Sequence, residues 1–221
     1  MIRKSFGEHI QELEHEVIGM GQSVIAAINR SMAALTSQDL DEAQRVIDGD
    51  KEINRKRWEI EEHCITLMAT QQPVATDLRE IIAILNVITE LERIGDYAEG
   101  IARIVLLYGR GPLIAPLVDI PQMARKAADM LKRSLEAFVA RDAKAAEAIC
   151  LEDDEVDNLH DQVYRVLLSY MLEDPKTITR ATYLIWAAHN LERSADRVTN
   201  ICERIVFLVT GKMPQATVSK Y

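Results

Sequence analysis

The residues with the strongest claim to chemistry are acids set on an internal repeat. Leu91-Glu92-Arg93-Ile94-Gly95-Asp96 returns 100 positions later as Leu191-Glu192-Arg193-Ser194-Ala195-Asp196. In each copy two acids stand four residues apart, with Arg beside the first, so on a helix they share a face. Like charges at that spacing repel by roughly 0.2–0.5 kcal/mol on an exposed helix, and burial raises the cost. A chain that carries the pair twice needs a compensating cation, supplied either by Arg or by a metal ion. A second pattern repeats at an offset of 103, placing Asp50-Lys51-Glu52-Ile53-Asn54 over Asp153-Asp154-Glu155-Val156-Asp157. If the helices bearing the two patterns run antiparallel, Asp50 and Asn54 face Glu92 and Asp96, while Asp153 and Asp157 face Glu192 and Asp196. Such oxygen-rich sets suit magnesium, calcium, manganese and iron, and zinc less typically. Asn54 brings no charge, so the first set should hold metal less tightly or hold fewer ions. Glu99, one helical step past Asp96, restores a carboxylate where the second half has Thr199. The competing reading is a solvated acidic face on which Arg93, Arg103 and Lys51 pair locally.

Other chemistry finds little support. Asp157-Asn158-Leu159-His160 imitates the acid-x-x-His step of carboxylate-bridged di-iron bundles. Its first-half counterpart is Arg57, which cannot ligate, and a surface histidine is the favoured reading of His160 and equally of His189, opposite Thr89. Trp58 and Trp186 read as core or interface aromatics. No Gly-rich phosphate loop, paired nucleophile and base, or dinucleotide fingerprint occurs, which points away from an enzyme unless a metal does the work. Lys and Arg total 26 against 35 Asp and Glu, a formal net charge of −9. That balance argues against direct nucleic-acid binding. The first residues form no apolar signal core and no run is long enough for a bilayer span, so a cytoplasmic protein without membrane insertion is expected. Cys64, Cys150 and Cys202 show no paired short spacing and read as small buried hydrophobes.

Helices must position these acids, because helix formers dominate and strand-length alternation is hard to find. The expected first helix runs from about Ser5 to the mid-thirties on a stripe of Ile10, Leu13, Val17, Met20, Val24, Ile28 and Leu35. Asp39 and Glu42 predict a capping box for a second, with Val46, Ile47, Ile53, Trp58, Ile65 and Leu67, ending before Pro73. Asp77 and Glu80 predict another box for a third, reaching Tyr108. Gly109, Gly111, Pro112, Pro116 and Pro121 then break the pattern. A fourth helix is expected through Met123 to Phe138, a fifth capped by Asp142 and continuous through Ile149 to Leu167, and a sixth from Thr177 to Thr210 closed by Gly211. The tail beyond is expected to be loose. The fold class is all-α, two tandem antiparallel three-helix bundles related by internal duplication, with repeats at 1–111 and 112–221 and an elongated outline.

Taken together, these motifs resemble the PhoU family of phosphate-signalling regulators. The resemblance rests on Gln72-Pro73-Val74-Ala75-Thr76-Asp77-Leu78-Arg79 entering the third helix, on Glu92 to Glu99 within it, and on Asn190 to Ile201 in the second half. It implies a cytoplasmic, often dimeric regulator that couples the ATPase subunit of a phosphate ABC transporter to a sensor histidine kinase and restrains both signal and uptake when phosphate is plentiful. It also implies metal clusters of iron, zinc, manganese or magnesium, with Asp50, Glu92 and Asp96 as ligands in the first half and Asp153, Asp157, Glu192 and Asp196 in the second. Asn54 departs from the acid the resemblance leads one to expect, and Ser194 from an aliphatic residue. Two other readings compete: a di-metal carboxylate oxidase of ferritin-like type, which would need His160 to ligate, and a metal-free helical scaffold.

Overall fold

The structure, a computed structural model, describes residues 2–115 and 117–212; the C-terminal tail and Pro116 lie outside the described residues, and no strand occurs among those described. Among the described residues seven helices follow one another: α1 Ile2–Ser37, α2 Leu40–Gln71, α3 Thr76–Tyr108, α4 Asp119–Ala140, α5 Ala143–Cys150, α6 Asp153–Glu173 and α7 Ile178–Thr210, with a 3-10 turn at Pro175–Thr177 before the last. The long ones extend about 50 Å at 1.5 Å per residue. In the first half α1, α2 and α3 pack antiparallel, as Glu16 against His63 at 3.0 Å and Ser23 against Lys56 at 2.9 Å show for the first pair. In the second half α4 and α7 enclose a wall made of α5 and α6.

Local chemistry accounts for most boundaries. Asp39 caps α2 by accepting the Glu42 N–H at 2.9 Å, and Asp142 caps α5 through Ala145 N–H at 3.0 Å. Neither expected capping box closes. Glu42 turns outward to Arg30 and Arg45, and Glu80 is drawn to Arg141, the left-handed residue that ends α4. Asp77 does not cap α3, whose N-cap is Ala75 with no side-chain bond. An ion pair outcompetes the return bond to a backbone amide. Gly211 ends α7 in the left-handed region as expected, donating to Phe207 O at 2.8 Å. Pro121 does not delay α4: it lies in the first helical turn, where no N–H is required.

The expected fifth helix is broken into α5 and α6 at Leu151 and Glu152. Glu152 accepts a two-pronged contact from Arg133 of α4, both at 2.7 Å, and pairs with Lys126 at 2.6 Å. The backbone there tightens to i to i+3 bonds, Glu152 N to Ile149 O and Glu155 N to Glu152 O, leaving Leu151 exposed. The apolar stripe of α1 is buried throughout. On α2 it runs Val46, Ile53, Ile60 and Leu67, a seven-residue spacing that leaves Trp58 62% and Ile65 55% exposed; Trp58 is therefore not a core residue, and neither is Trp186 at 51%.

The two halves lie side by side along an antiparallel seam between α3 and α7. Arg79 reaches Phe207, Glu90 meets Arg197 at 3.5 Å and Asn200 at 3.3 Å, Gly100 faces Asn190, and Tyr108 lies beside Arg180. A second, also antiparallel contact joins α1 to α4, where Gly21 admits Leu135 and Glu14 pairs with Arg141. Both central helices are consequently buried on more than one face, Ile84, Val87, Ala187 and Ala188 included, and the apolar core is continuous across the halves. The linker between α3 and α4 is held near its start, where Gln38 brackets the Gly111 backbone and Arg180 donates to Pro112 O at 3.2 Å.

Candidate metal centres in two carboxylate clefts

The α2–α3 and α6–α7 contacts each form a cleft lined by the acids of the repeat. In the first, Asp50 lies against α3 so closely that a Cβ on Gly95 would stand 3.4 Å from its Oδ1 and 3.3 Å from Ile53. Asn54 is a donor here, giving Nδ2–H to Asp50 Oδ2 at 2.7 Å. Glu99, on the same side, is held by Arg103 at 2.6 Å. Burial, then the charges of Glu99 and Glu92, push the Asp50 carboxyl up, against the opposing Asn54 hydrogen bond. Asp96 is pushed to about 6 by burial and by Glu92, Asp50 and Glu99. The structure thus brings Asp50, Glu92 and Asp96 together and adds Glu99.

The second cleft holds Asp153, Asp157, Glu192 and Asp196. Burial first, then Asp157, Asp196 and Glu192, push Asp153 up to about 7; Glu192 rises to about 7 through burial, Asp196 and Asp157. Asp157 and Asp196 are raised as well, again chiefly by burial. Arginine engages it loosely: Arg193 stands 3.8 Å from Asp196 and also bonds across the seam to Tyr97, and Arg197, which pairs with Glu90 at 3.5 Å, joins Arg193 in opposing the effect of burial on Asp196. Arginine therefore compensates each cleft only in part. Ser194 costs little, since its buried hydroxyl donates to Asn190 O at 2.7 Å.

Whether these residues suit a cation is decided by what they leave unmade. Asp50 Oδ1, Asp153 Oδ1 and Glu192 Oε2 are buried and make no hydrogen bond, a costly state for carboxylate oxygens. A cation bound in each cleft would satisfy these oxygens and offset the repulsion. In their present rotamers no three His, Cys, Asp or Glu side chains among the described residues converge tightly enough to enclose an ion, so the fit rests on donor chemistry and orphaned atoms. His189 is exposed, as the surface reading expected, whereas His160 departs from it. His160 is half-buried, its Nε2 is buried without a partner, and its ring centroid lies 6.0 Å from that of His189. The signal was present in sequence as the separate steps Asp157 to His160 and His189 to Glu192; only the antiparallel pairing of α6 with α7 joins them.

Fold and clefts together define a duplicated helical bundle with paired acidic sites. The PhoU domain model matches residues 17–105 and again 120–205. A phosphate-specific transport system accessory protein PhoU homolog of Clostridium acetobutylicum is 37% identical over 96% of this chain and 97% of its own length. The phosphate-specific transport system accessory protein PhoU of Escherichia coli K12 is 36% identical over 96% of this chain and 88% of its own. The crystal structure of the phosphate transport system regulatory protein PhoU from Streptococcus pneumoniae superposes with a TM-score of 0.89 at 32% identity, covering 95% of this chain and 99% of that one. The chain belongs to the PhoU family. Those relatives carry the names of accessory and regulatory proteins, not of enzymes.

Proposed function

We propose that this protein is a cytoplasmic regulator of phosphate uptake and of phosphate-starvation signalling. It acts as an adaptor between the ATPase subunit of a phosphate ABC transporter and a sensor histidine kinase, restraining both when phosphate is plentiful. The observation that carries the reading is similarity along nearly the whole length to proteins named as accessory to phosphate-specific transport. Consistent with a docking protein, no helix among the described residues is long and apolar enough to cross a membrane. The clefts supply a second layer. Asp50, Glu92 and Asp96, and Asp153, Asp157, Glu192 and Asp196, would hold metal ions whose charge relieves the carboxylates and fixes α2 on α3 and α6 on α7. Iron, zinc, manganese or magnesium fits the donors. The working assembly is a homodimer that presents these faces to its partners.

Deletion of the gene should derepress phosphate-starvation transcription in phosphate-rich medium, and the intact gene should restore repression. An unchanged response in the deletion strain sinks the adaptor reading. Adding ferrous iron to the pure protein should consume no oxygen; rapid consumption would favour an oxidase instead.

A further inference from the structure

The end of α5 and the later turns of α7 bring two thiols together. Cys150 Sγ donates to Thr199 O at 3.8 Å, and Thr199 lies one helical step before Cys202 on the same face of α7. The two cysteine side chains are hydrogen-bonded to each other, and both are free thiols. Cys202 is fully buried, whereas Cys150 is partly exposed where the chain leaves α5 for the break at Leu151 and Glu152. Packing alone does not require sulfur here. At the repeat offsets of 103 and 100 the first-half counterparts are Ile47 and Ala102, both packed into the apolar core. An apolar pair therefore fills the equivalent place, which is also the usual role of a buried cysteine. What the second half adds is two sulfurs in contact, one of them reachable from solvent. Closing a bond of about 2.05 Å between them calls for side-chain rotation and a slight approach of α5 to α7.

We propose that Cys150 and Cys202 form a reversible intramolecular disulfide, a site of oxidative modification that staples the end of α5 to α7. The oxidant is hydrogen peroxide. Cys150, the accessible member, attacks one peroxide oxygen as its thiolate; the O–O bond breaks, the departing hydroxide takes up the proton the thiol released, and Cys150 becomes a sulfenic acid. The Cys202 sulfur then attacks the Cys150 sulfur. The S–S bond forms, the S–O bond breaks, and the oxygen leaves with the Cys202 proton as a second water. In sum two thiols lose two electrons and two protons, and peroxide is reduced to two waters. The shared hydrogen bond supports this order: Cys202 holds the Cys150 thiol below its ordinary range, while the Cys150 contact and then burial push Cys202 above. A dithiol reductant reverses the bond by exchange. Because Cys150 stands three residues before Asp153, the first residue of α6, the oxidised form ties the α5–α6 break to α7. This chemistry needs neither a metal nor a partner protein.

Full-length protein is reduced, freed of reductant and treated with hydrogen peroxide, then unfolded, alkylated with iodoacetamide and digested without reductant for mass spectrometry. The expected product is a peptide pair from one chain joined through Cys150 and Cys202, lighter by two hydrogens and restored to thiols by dithiothreitol. Cys64 should still be alkylated, since it is fully buried and burial pushes its thiol up to about 12. In a Cys202→Ala variant, which gives α7 the residue its first-half counterpart carries, peroxide should leave Cys150 as a sulfenic acid that dimedone traps. Cys150 taken to sulfinic acid without the cross-link, Cys150 left reduced, or a bond between two chains overturns the proposal. Should the variant lose its helicity by circular dichroism, the peptide map of the unsubstituted protein decides alone.

Discussion

Carboxyls held above their ordinary range make the folded state hungry for protons. Asp153 and Glu192 at about 7, with Asp96 at about 6, bind protons in the fold that they release in the unfolded chain above roughly pH 4. Their contribution to stability is therefore complete in acid and is lost as pH rises through about 7. Glu152 works the other way, held down at about 2 by Arg133 and Lys126, so its contribution disappears only below the window of interest. The metal-free protein should melt at a lower temperature at pH 8 than at pH 5.5, and saturating divalent metal should flatten that dependence; calorimetric scans at both pH values measure it. Asp153→Asn should raise the melting temperature of the metal-free protein at pH 8 and change it little at pH 5.5. A lower melting temperature for that variant at pH 8 would mean that the charge is already compensated. The acids themselves were legible from spacing, because an i, i+4 pair repeated at a fixed offset is visible without coordinates. Their histidine neighbours were not, since His160 and His189 are far apart in sequence and only the packing of α6 on α7 brings the two rings together.

Two contacts decide how the wall helices sit on the central ones. Gly95 sets the approach of α2 to α3. Gly95→Ala should be close to neutral, because the helix gain of about 0.5–1 kcal/mol meets a tight approach to Ile53. Gly95→Leu should destabilise by about 1–3 kcal/mol through overpacking and weaken ion binding in the first cleft while sparing the second, a difference that urea denaturation and calorimetry would register. Glu152→Gln removes the charged half of the Arg133 fork and should cost about 1 kcal/mol, with α5 and α6 tending to merge. Helix existence was readable from periodicity, and so were Asp39, Asp142 and Gly211 as ends. The α5–α6 break was not, because it is imposed from α4 by Arg133 and Lys126 and has no local Pro or Gly to announce it. Trp58 and Ile65 lie off the buried stripe of α2, because that helix buries a narrow seam of seven-residue spacing and not a broad face.

At the scale of the molecule the seam between α3 and α7 makes the halves interdependent. Residues 1–111 produced alone would expose the α3 surface that α7 covers, Ile84 and Val87 being fully buried in the whole chain. That fragment should elute as an oligomer or aggregate, and the full chain should unfold in one cooperative transition by circular dichroism. A monomeric, cooperatively folding fragment would show that each repeat closes its own core. The seam was foreshadowed by the apolar residues of α3, which cover more of the helix than the single stripe one partner can use up.

The same seam carries a further consequence through the segment that crosses it. Because α7 reaches α3 only by way of the hairpin from Tyr108 to Asp119, pinned at Gly111 by Gln38 and at Pro112 by Arg180, intrachain closure is a matter of reach. Shorten that hairpin until the second repeat cannot fold back, and each α3 remains complementary to the α7 of another molecule. The chain would then exchange halves with its neighbour, each composite lobe retaining the native interior. A Gly100→Cys, Asn190→Cys disulfide across the seam should link two chains in a variant lacking residues 110–115 and stay within one chain in the protein with its linker intact, as non-reducing electrophoresis would show.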